Sequence, residues 1–232
     1  MDIQHFTFNV FQTQCYLAWD ESGKCMKIDP GCQTPPEYEK ITGFIREHGL
    51  TPAGIMLTHG HFDHIYGMAE LSRAYGIPTY VHEGELYSVE VANPHICGPF
   101  GLPLPDAFPL IKEDGQEAEG CRAVFVKDGD VVTAGSMNFH VIGTPGHSAG
   151  GVCYHEREQK VLFSGDTLFA GAIGRSDHPG GDYDKLIRNI LEKLTVLDGE
   201  TAVYPGHGPS TDIATERMTN PFLMPFNEPY ED

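Results

Sequence analysis

The sequence predicts an α/β fold made of two similar halves that face each other. Three observations predict it. Short strand patterns recur along the chain, two clear helix patterns follow them at corresponding places, and no low-complexity tract or flexible linker divides the halves. With 232 residues, 40% of them hydrophobic and 21% charged, the chain suits one well-buried domain spanning 1–232.

The elements follow in order. Ile3, His5, Thr7 and Asn9 alternate with Phe6, Phe8 and Val10 as a strand requires, and Gln14 to Trp19 and Cys25 to Ile28 read as two more. Asp20-Glu21-Ser22-Gly23 supplies the hairpin between the last two. Thr34-Pro35-Pro36-Glu37 opens a helix capped by Thr34, with Ile41, Phe44 and Ile45 on one face and an end near Gly49. The apolar run Ala53 to Leu57 reads as a buried strand. Met68, Leu71 and Tyr75 have helical spacing that Gly76-Ile77-Pro78 stops, and Thr79 to Val81 is a short strand.

The stretch Asn93 to Pro109 holds five prolines and the apolar residues Ile96, Phe100, Leu102, Leu104 and Phe108. No regular element fits it, so it is expected either to pack locally or to serve as a lid. The second half returns to strands at Val124–Val126, Val131–Val132, Met137–Ile142, Gly151–His155 and Lys160–Phe163. Asp182 to Leu197 is the clearest helix, carrying Leu186, Ile187, Ile190, Leu191 and Leu194 at helical intervals. Thr201–Tyr204 is a last strand, and a short helix from Asp212 to about Met218 precedes a Pro-rich tail.

Composition narrows the partners. The net charge of −18 repels polyanions, which makes nucleic acid and anionic membranes poor partners and leaves a small-molecule substrate as the expectation. No run reaches the length of a membrane span, and Met1-Asp2-Ile3-Gln4-His5 lacks the basic start of a signal peptide, so a cytoplasmic location is expected. The six cysteines form no C-x-x-C pair and read as reduced, mostly buried thiols. Nothing in the pattern specifies an oligomeric state.

The densest chemistry lies in Thr58-His59-Gly60-His61-Phe62-Asp63-His64, directly after the Ala53–Leu57 run. Imidazole and carboxylate are ligands that suit zinc and iron, and a loop at a strand end is a usual place for a catalytic site. Three later strand exits carry the same residue types: His147 in Thr144-Pro145-Gly146-His147-Ser148, Asp166 in Ser164-Gly165-Asp166-Thr167, and His207 in Pro205-Gly206-His207-Gly208. Adjacent glycines let each backbone turn sharply. Asp29 at its own strand exit is a candidate acceptor behind a ligand histidine. Arg175 could grip a substrate carboxylate or pair with Asp177. The other histidines read as surface or satisfied groups, with His95 and His178 as candidates for lining a pocket.

This combination resembles the metallo-β-lactamase fold hydrolases over nearly the whole chain. Within them it is most similar to compact glyoxalase II-type proteins. Ile28-Asp29-Pro30-Gly31, Gly165-Asp166-Thr167-Leu168-Phe169, Ile173-Gly174-Arg175-Ser176-Asp177 and Thr219-Asn220-Pro221-Phe222-Leu223 carry the likeness. The resemblance implies a four-layer αββα sandwich with metals at one edge. His59, His61 and His147 would hold a first ion; Asp63, His64 and His207 a second; Asp166 would bridge them. Two divalent ions are implied, zinc in the first place, iron or a zinc–iron pair otherwise.

The chemistry so implied is hydrolysis of a thioester or related ester by a metal-bridging hydroxide that Asp63 helps to orient. With only positions 205–232 after the last expected strand, the C-terminal helical domain of full-length glyoxalase II enzymes is not expected. The alternatives are a persulfide dioxygenase with one iron on His59, His147 and Asp166, a lactonase, or a non-catalytic metal-binding module. The charge disfavours an RNA-processing member.

Overall fold

The computed structural model describes residues 1–88, 93–105 and 122–224. The first half contains β1 (Asp2–Phe8), β2 (Thr13–Trp19), β3 (Lys24–Ile28), α1 (Pro35–Glu47), β4 (Thr51–Met56), α2 (Phe62–Ile65), α3 (Met68–Tyr75), β5 (Pro78–Val81), α4 (Asn93–Cys97) and β6 (Arg122–Phe125). The second contains β7 (Val131–Ala134), β8 (Met137–Gly143), β9 (Val152–Glu156), β10 (Val161–Gly165), β11 (Leu168–Phe169), β12 (Ala172–Ile173), α5 (Tyr183–Asn189), β13 (Ala202–Pro205), β14 (Thr211–Asp212) and α6 (Ile213–Thr219). One sheet runs β1-β2-β3-β4-β5-β6 and the other β14-β13-β10-β9-β8-β7.

Strand alternation builds the four layers. On β2, Cys15 and Leu17 face α1 and α3, packing with Ile41, Ile45, Met68 and Leu71. Their neighbours Tyr16 and Ala18 face the other way and meet Phe139, Val141, Tyr154 and Phe163 of the second sheet. On the far side, Cys153, Leu162 and Val203 pack against Leu186, Ile187, Ile190 and Leu194. The result is an αββα sandwich with one core between the sheets and one under each helical layer.

Local chemistry fixes the ends. Glu37 closes the start of α1 by accepting from Thr34 N at 3.0 Å and Gln33 N at 2.9 Å, and its second oxygen accepts from Asn9 N at 2.7 Å. One carboxylate thus ties the β1–β2 turn to the helix. Among the described residues, no helix is long and apolar enough to cross a membrane.

Three expectations change. The Val124–Val126 strand belongs to the first sheet, where β6 pairs in parallel with β5, rather than to the second half. The helix expected over Asp182 to Leu197 is α5 followed by a π-helical stretch, Ile190–Leu194. In this wider turn the Thr195 N–H bonds to Ile190 O at 2.9 Å, and the Thr195 hydroxyl takes the Leu191 carbonyl at 2.8 Å. Finally, the stretch 93–105 is not structureless: α4 opens it, and Leu102 N closes back on Cys97 O at 2.9 Å. Residues 106–109 of that stretch, and the tail from 225, lie outside the described residues.

Candidate metal centre

Four strand exits deliver seven donor side chains to one edge of the sandwich. The segment after β4 carries His59 and His61, and α2 carries Asp63 and His64. His147 follows β8, Asp166 follows β10, and His207 follows β13. Gly165, at φ +50°, makes the turn into Asp166; a side chain there would collide with the Thr58 hydroxyl. A side chain at Gly206 would collide with Asp166 Oδ1.

The donors form two groups. His59, His61 and His147 converge with ligand atoms within 4.8 Å of one another, and so do Asp63, His64 and His207. His61 Nδ1 lies 2.9 Å from His147 Nε2, and His64 Nε2 lies 3.3 Å from His207 Nε2. Asp63 Oδ2 is 3.4 Å from both His64 Nε2 and His207 Nε2. Asp166 reaches both groups, with Oδ1 3.5 Å from His64 Nε2 and Oδ2 3.5 Å from His147 Nε2 and from His207 Nε2.

Outer contacts set which ring nitrogen faces inward. The Thr58 hydroxyl donates to Asp29 Oδ2 at 2.6 Å, so it accepts from His59 Nδ1 at 3.0 Å. His64 Nδ1 donates to Asp29 Oδ2 at 3.1 Å, His147 Nδ1 to Arg175 O at 2.7 Å, and His207 Nδ1 to Phe11 O at 3.1 Å. In all four rings Nε2 is therefore the nitrogen turned into the site. Asp29 itself is a poor ligand although it sits near His59 and His64, because Thr58 N at 2.8 Å, the Thr58 hydroxyl and His64 already occupy its oxygens. It is an orienting acceptor.

The charges fit a cation. His59 Nε2 and Asp166 Oδ1 are buried with no hydrogen-bond partner, a costly arrangement that a metal would relieve. Burial, reinforced by neighbouring imidazoles, holds His59 and His61 well below the usual histidine range, so they present lone pairs. His64 is pushed the other way: burial would lower it, but Asp63, Asp166 and Asp29 raise it to about 9. At His207 the same contest, won by Asp166 and Asp63, gives about 11. Burial alone would raise Asp63, yet His64 and His207 hold it at about 2. Asp166 is likewise held well below the carboxylate range despite its burial. The carboxylates thus draw positive charge into the second group, which a divalent ion would supply.

Several supporting residues were not singled out by the sequence reading. Thr13 donates its hydroxyl to Asp63 Oδ2 at 2.7 Å. Asn9 Nδ2 bridges Gly31 O and Asp63 O, each at 2.9 Å. Asn93, at the start of α4, clamps both sides of His61 by donating to Gly60 O at 2.9 Å and accepting from Phe62 N at 3.1 Å. Glu85 is fully buried and joins the two histidine loops: it accepts from Gly60 N at 2.7 Å, the Ser148 hydroxyl at 2.7 Å and Gly150 N at 2.6 Å. Glu85→Gln keeps the shape but turns one acceptor into a donor facing donors. It is expected to cost about 1–3 kcal/mol, read as a lowered midpoint in urea denaturation.

The donors open onto a cleft of about 620 Å³. Its far wall is apolar: Phe11, Phe62, Ile96, Phe100 and Leu102. The 93–105 stretch is thus packed locally through buried Asn93 and Cys97 while its exposed side walls the cleft. Arg175 lines the rim with its guanidinium bonded to Asp177 at 2.8 and 3.2 Å, so the pairing with Asp177 is what the structure contains. His178 borders the cleft and packs edge-on against His61 and His147, with ring centroids 4.9 and 5.1 Å apart. His95 is exposed on α4 and is not among the lining residues.

An αββα sandwich with clustered His and Asp donors at a sheet edge is the architecture of a metallo-hydrolase. The chain belongs to the metallo-beta-lactamase superfamily, whose sequence profile matches residues 8–207. Among its relatives, it is 35% identical over 224 residues to the hydroxyacylglutathione hydrolase GloC of Haemophilus influenzae, covering 96% of this chain and 98% of that one. The crystal structure of the BLEG-1 B3 metallo-beta-lactamase superposes with a TM-score of 0.83 at 33% identity, covering 96% of this chain and 99% of that chain. TTHA1623, solved in a di-iron-bound form, gives a TM-score of 0.80 at 35% identity over 95% of this chain and all (100%) of that chain.

Proposed function

We propose that the protein hydrolyses a thioester, or a related ester, at a dinuclear metal site. The observation that carries this reading is the pair of three-donor groups with Asp166 between them, opening on a cleft. His59, His61 and His147 would hold one divalent ion, Asp63, His64 and His207 the other, and Asp166 both. Zinc suits this nitrogen-and-oxygen donor set, and iron does too. When bound, the ions supply an activated water at neutral pH and polarise the scissile carbonyl.

The chain's own residues do the rest. Asp63, fixed by the Thr13 hydroxyl and facing the cleft, orients the attacking water. The Nδ1 contacts of His59, His64, His147 and His207 keep the donor rings from turning. The wall of Phe11, Phe62, Ile96, Phe100 and Leu102 limits water around the substrate. A thiolate leaves without a proton donor, so no general acid is required. The relationship to a hydroxyacylglutathione hydrolase supports the reaction class.

The test is metal analysis of protein purified without added metal, coupled to release of free thiol from acyl thioesters. About two divalent ions per chain, with turnover abolished by chelation and restored by zinc or iron, is the expected result. A single tightly held iron with oxygen-dependent oxidation of a persulfide would replace this reading with the dioxygenase.

A further inference from the structure

Phe11 and Phe100 are 42% and 75% exposed, and both border the same cleft. One exposed aromatic is ordinary. Here Phe11 stacks edge-on against Phe62 at 5.1 Å, and Ile96, Phe100 and Leu102 extend the wall, so the apolar surface is shared by three separate stretches of chain. Ile96, Phe100 and Leu102 are carried by the segment that Asn93 ties to both sides of His61. The apolar wall is therefore held at a fixed place relative to the donors.

The cations point the same way. Arg175 is the one lysine or arginine among the described residues lining the cleft, and Asp177 already neutralises it. The residues outside the described ranges contain a single basic residue, Lys112, so they cannot supply a cluster of cations wherever they lie. Glutathione brings two carboxylates and one ammonium, and a chain of net charge −18 offers such an anion little.

We propose that the cleft selects a thioester whose bulk is an uncharged apolar group, in preference to a glutathione thioester. This rests on the hydrolase reading above. The volume of about 620 Å³ is that of a small-molecule site. The apolar wall contributes to binding by removing the group from water, and the contribution grows with each methylene buried.

The metal-loaded protein is assayed on N-acetylcysteamine thioesters from acetyl through butanoyl to hexanoyl, and on S-acetyl esters of ethanethiol through hexanethiol. S-lactoylglutathione is the reference. The expected result is a kcat/KM that rises about threefold per methylene in one series, the steeper series naming which side of the thioester meets the wall. Phe100→Ser, at a position 75% exposed and so safe for folding, is expected to flatten that slope. A flat dependence in both series, or a kcat/KM for S-lactoylglutathione above that for the hexanoyl ester, overturns the proposal and leaves the hydrolase reading intact. If no thioester is turned over, the hydrolase reading fails, and binding of N-hexanoyl against N-acetyl butylamide by calorimetry still decides the cleft: tighter binding of the longer amide upholds its apolar selectivity, and equal binding overturns it.

Discussion

Asp166→Ala is expected to lose both metal ions together and to lower kcat/KM on any thioester substrate by about a thousandfold or more, since several kcal/mol of charge stabilisation disappears. Asp166 is the side chain that reaches both groups: Oδ2 lies 3.5 Å from His147 of one and from His207 of the other, and Oδ1 lies 3.5 Å from His64. Its charge is held by His64 and His207 against the cost of burial. Without it, each group keeps only three of its donors, and His64 and His207 lose part of their counter-charge. Mass spectrometry of the intact holoprotein and elemental analysis read the loss directly. Retention of one ion at full occupancy would falsify the bridging role and move Asp166 to a single group.

Asp166→Asn separates charge from shape. The amide fits the space beside Gly206 and keeps one carbonyl oxygen, so the fold should stand while ion binding weakens. Circular dichroism of the variant matching the parent, with metal content reduced, is the expected pair of results.

Much of this centre was legible in the sequence because the donors follow strand patterns, and His59, His61, His147, Asp166 and His207 each sit beside a glycine. The grouping was not legible from spacing: His61 meets His147 across 86 positions, and His64 meets His207 across 143. It came from resemblance to a known family, and the geometry gathers the same two triads. Thr13, Glu85 and Asn93 are not legible because each is a lone polar residue whose partners are backbone groups, a hydroxyl or a carboxylate far along the chain. Their signal lies in burial, which a hydropathy pattern does not give to single polar residues.

The stretch with five prolines illustrates a different limit. Prolines at this density argue against regular structure, yet Pro94 falls in the first turn of α4, where the missing N–H has no intrahelical partner to lose. The π-helical turn after α5 shifts one backbone bond, Thr195 N to Ile190 O, while the apolar residues keep the same buried face. Periodicity sees the apolar face of that helix and cannot see a one-residue shift in its hydrogen bonds.

Asp29→Ala is expected to destabilise the protein by about 3–5 kcal/mol, the cost of breaking a buried hydrogen-bonded charge and leaving its donors unpaired. Three donors converge on this carboxylate, which is 2% exposed: Thr58 N, the Thr58 hydroxyl and His64 Nδ1. Asp29 also occupies the left-handed region at φ +48°, where alanine is strained and asparagine is better tolerated. Asp29→Asn is therefore the informative companion. Its oxygen can still accept from Thr58 N, but its amide N–H₂ faces two donors and cannot accept from His64. The His64 ring then loses the contact that turns Nε2 inward. Ion affinity at the Asp63, His64 and His207 group should fall about 10- to 100-fold, with a smaller change at the other group, measured by competition with a chelator of known affinity. Equal affinities in Asp29→Asn and the parent would mean that packing alone, through the fully buried faces of the His64 ring, sets its orientation.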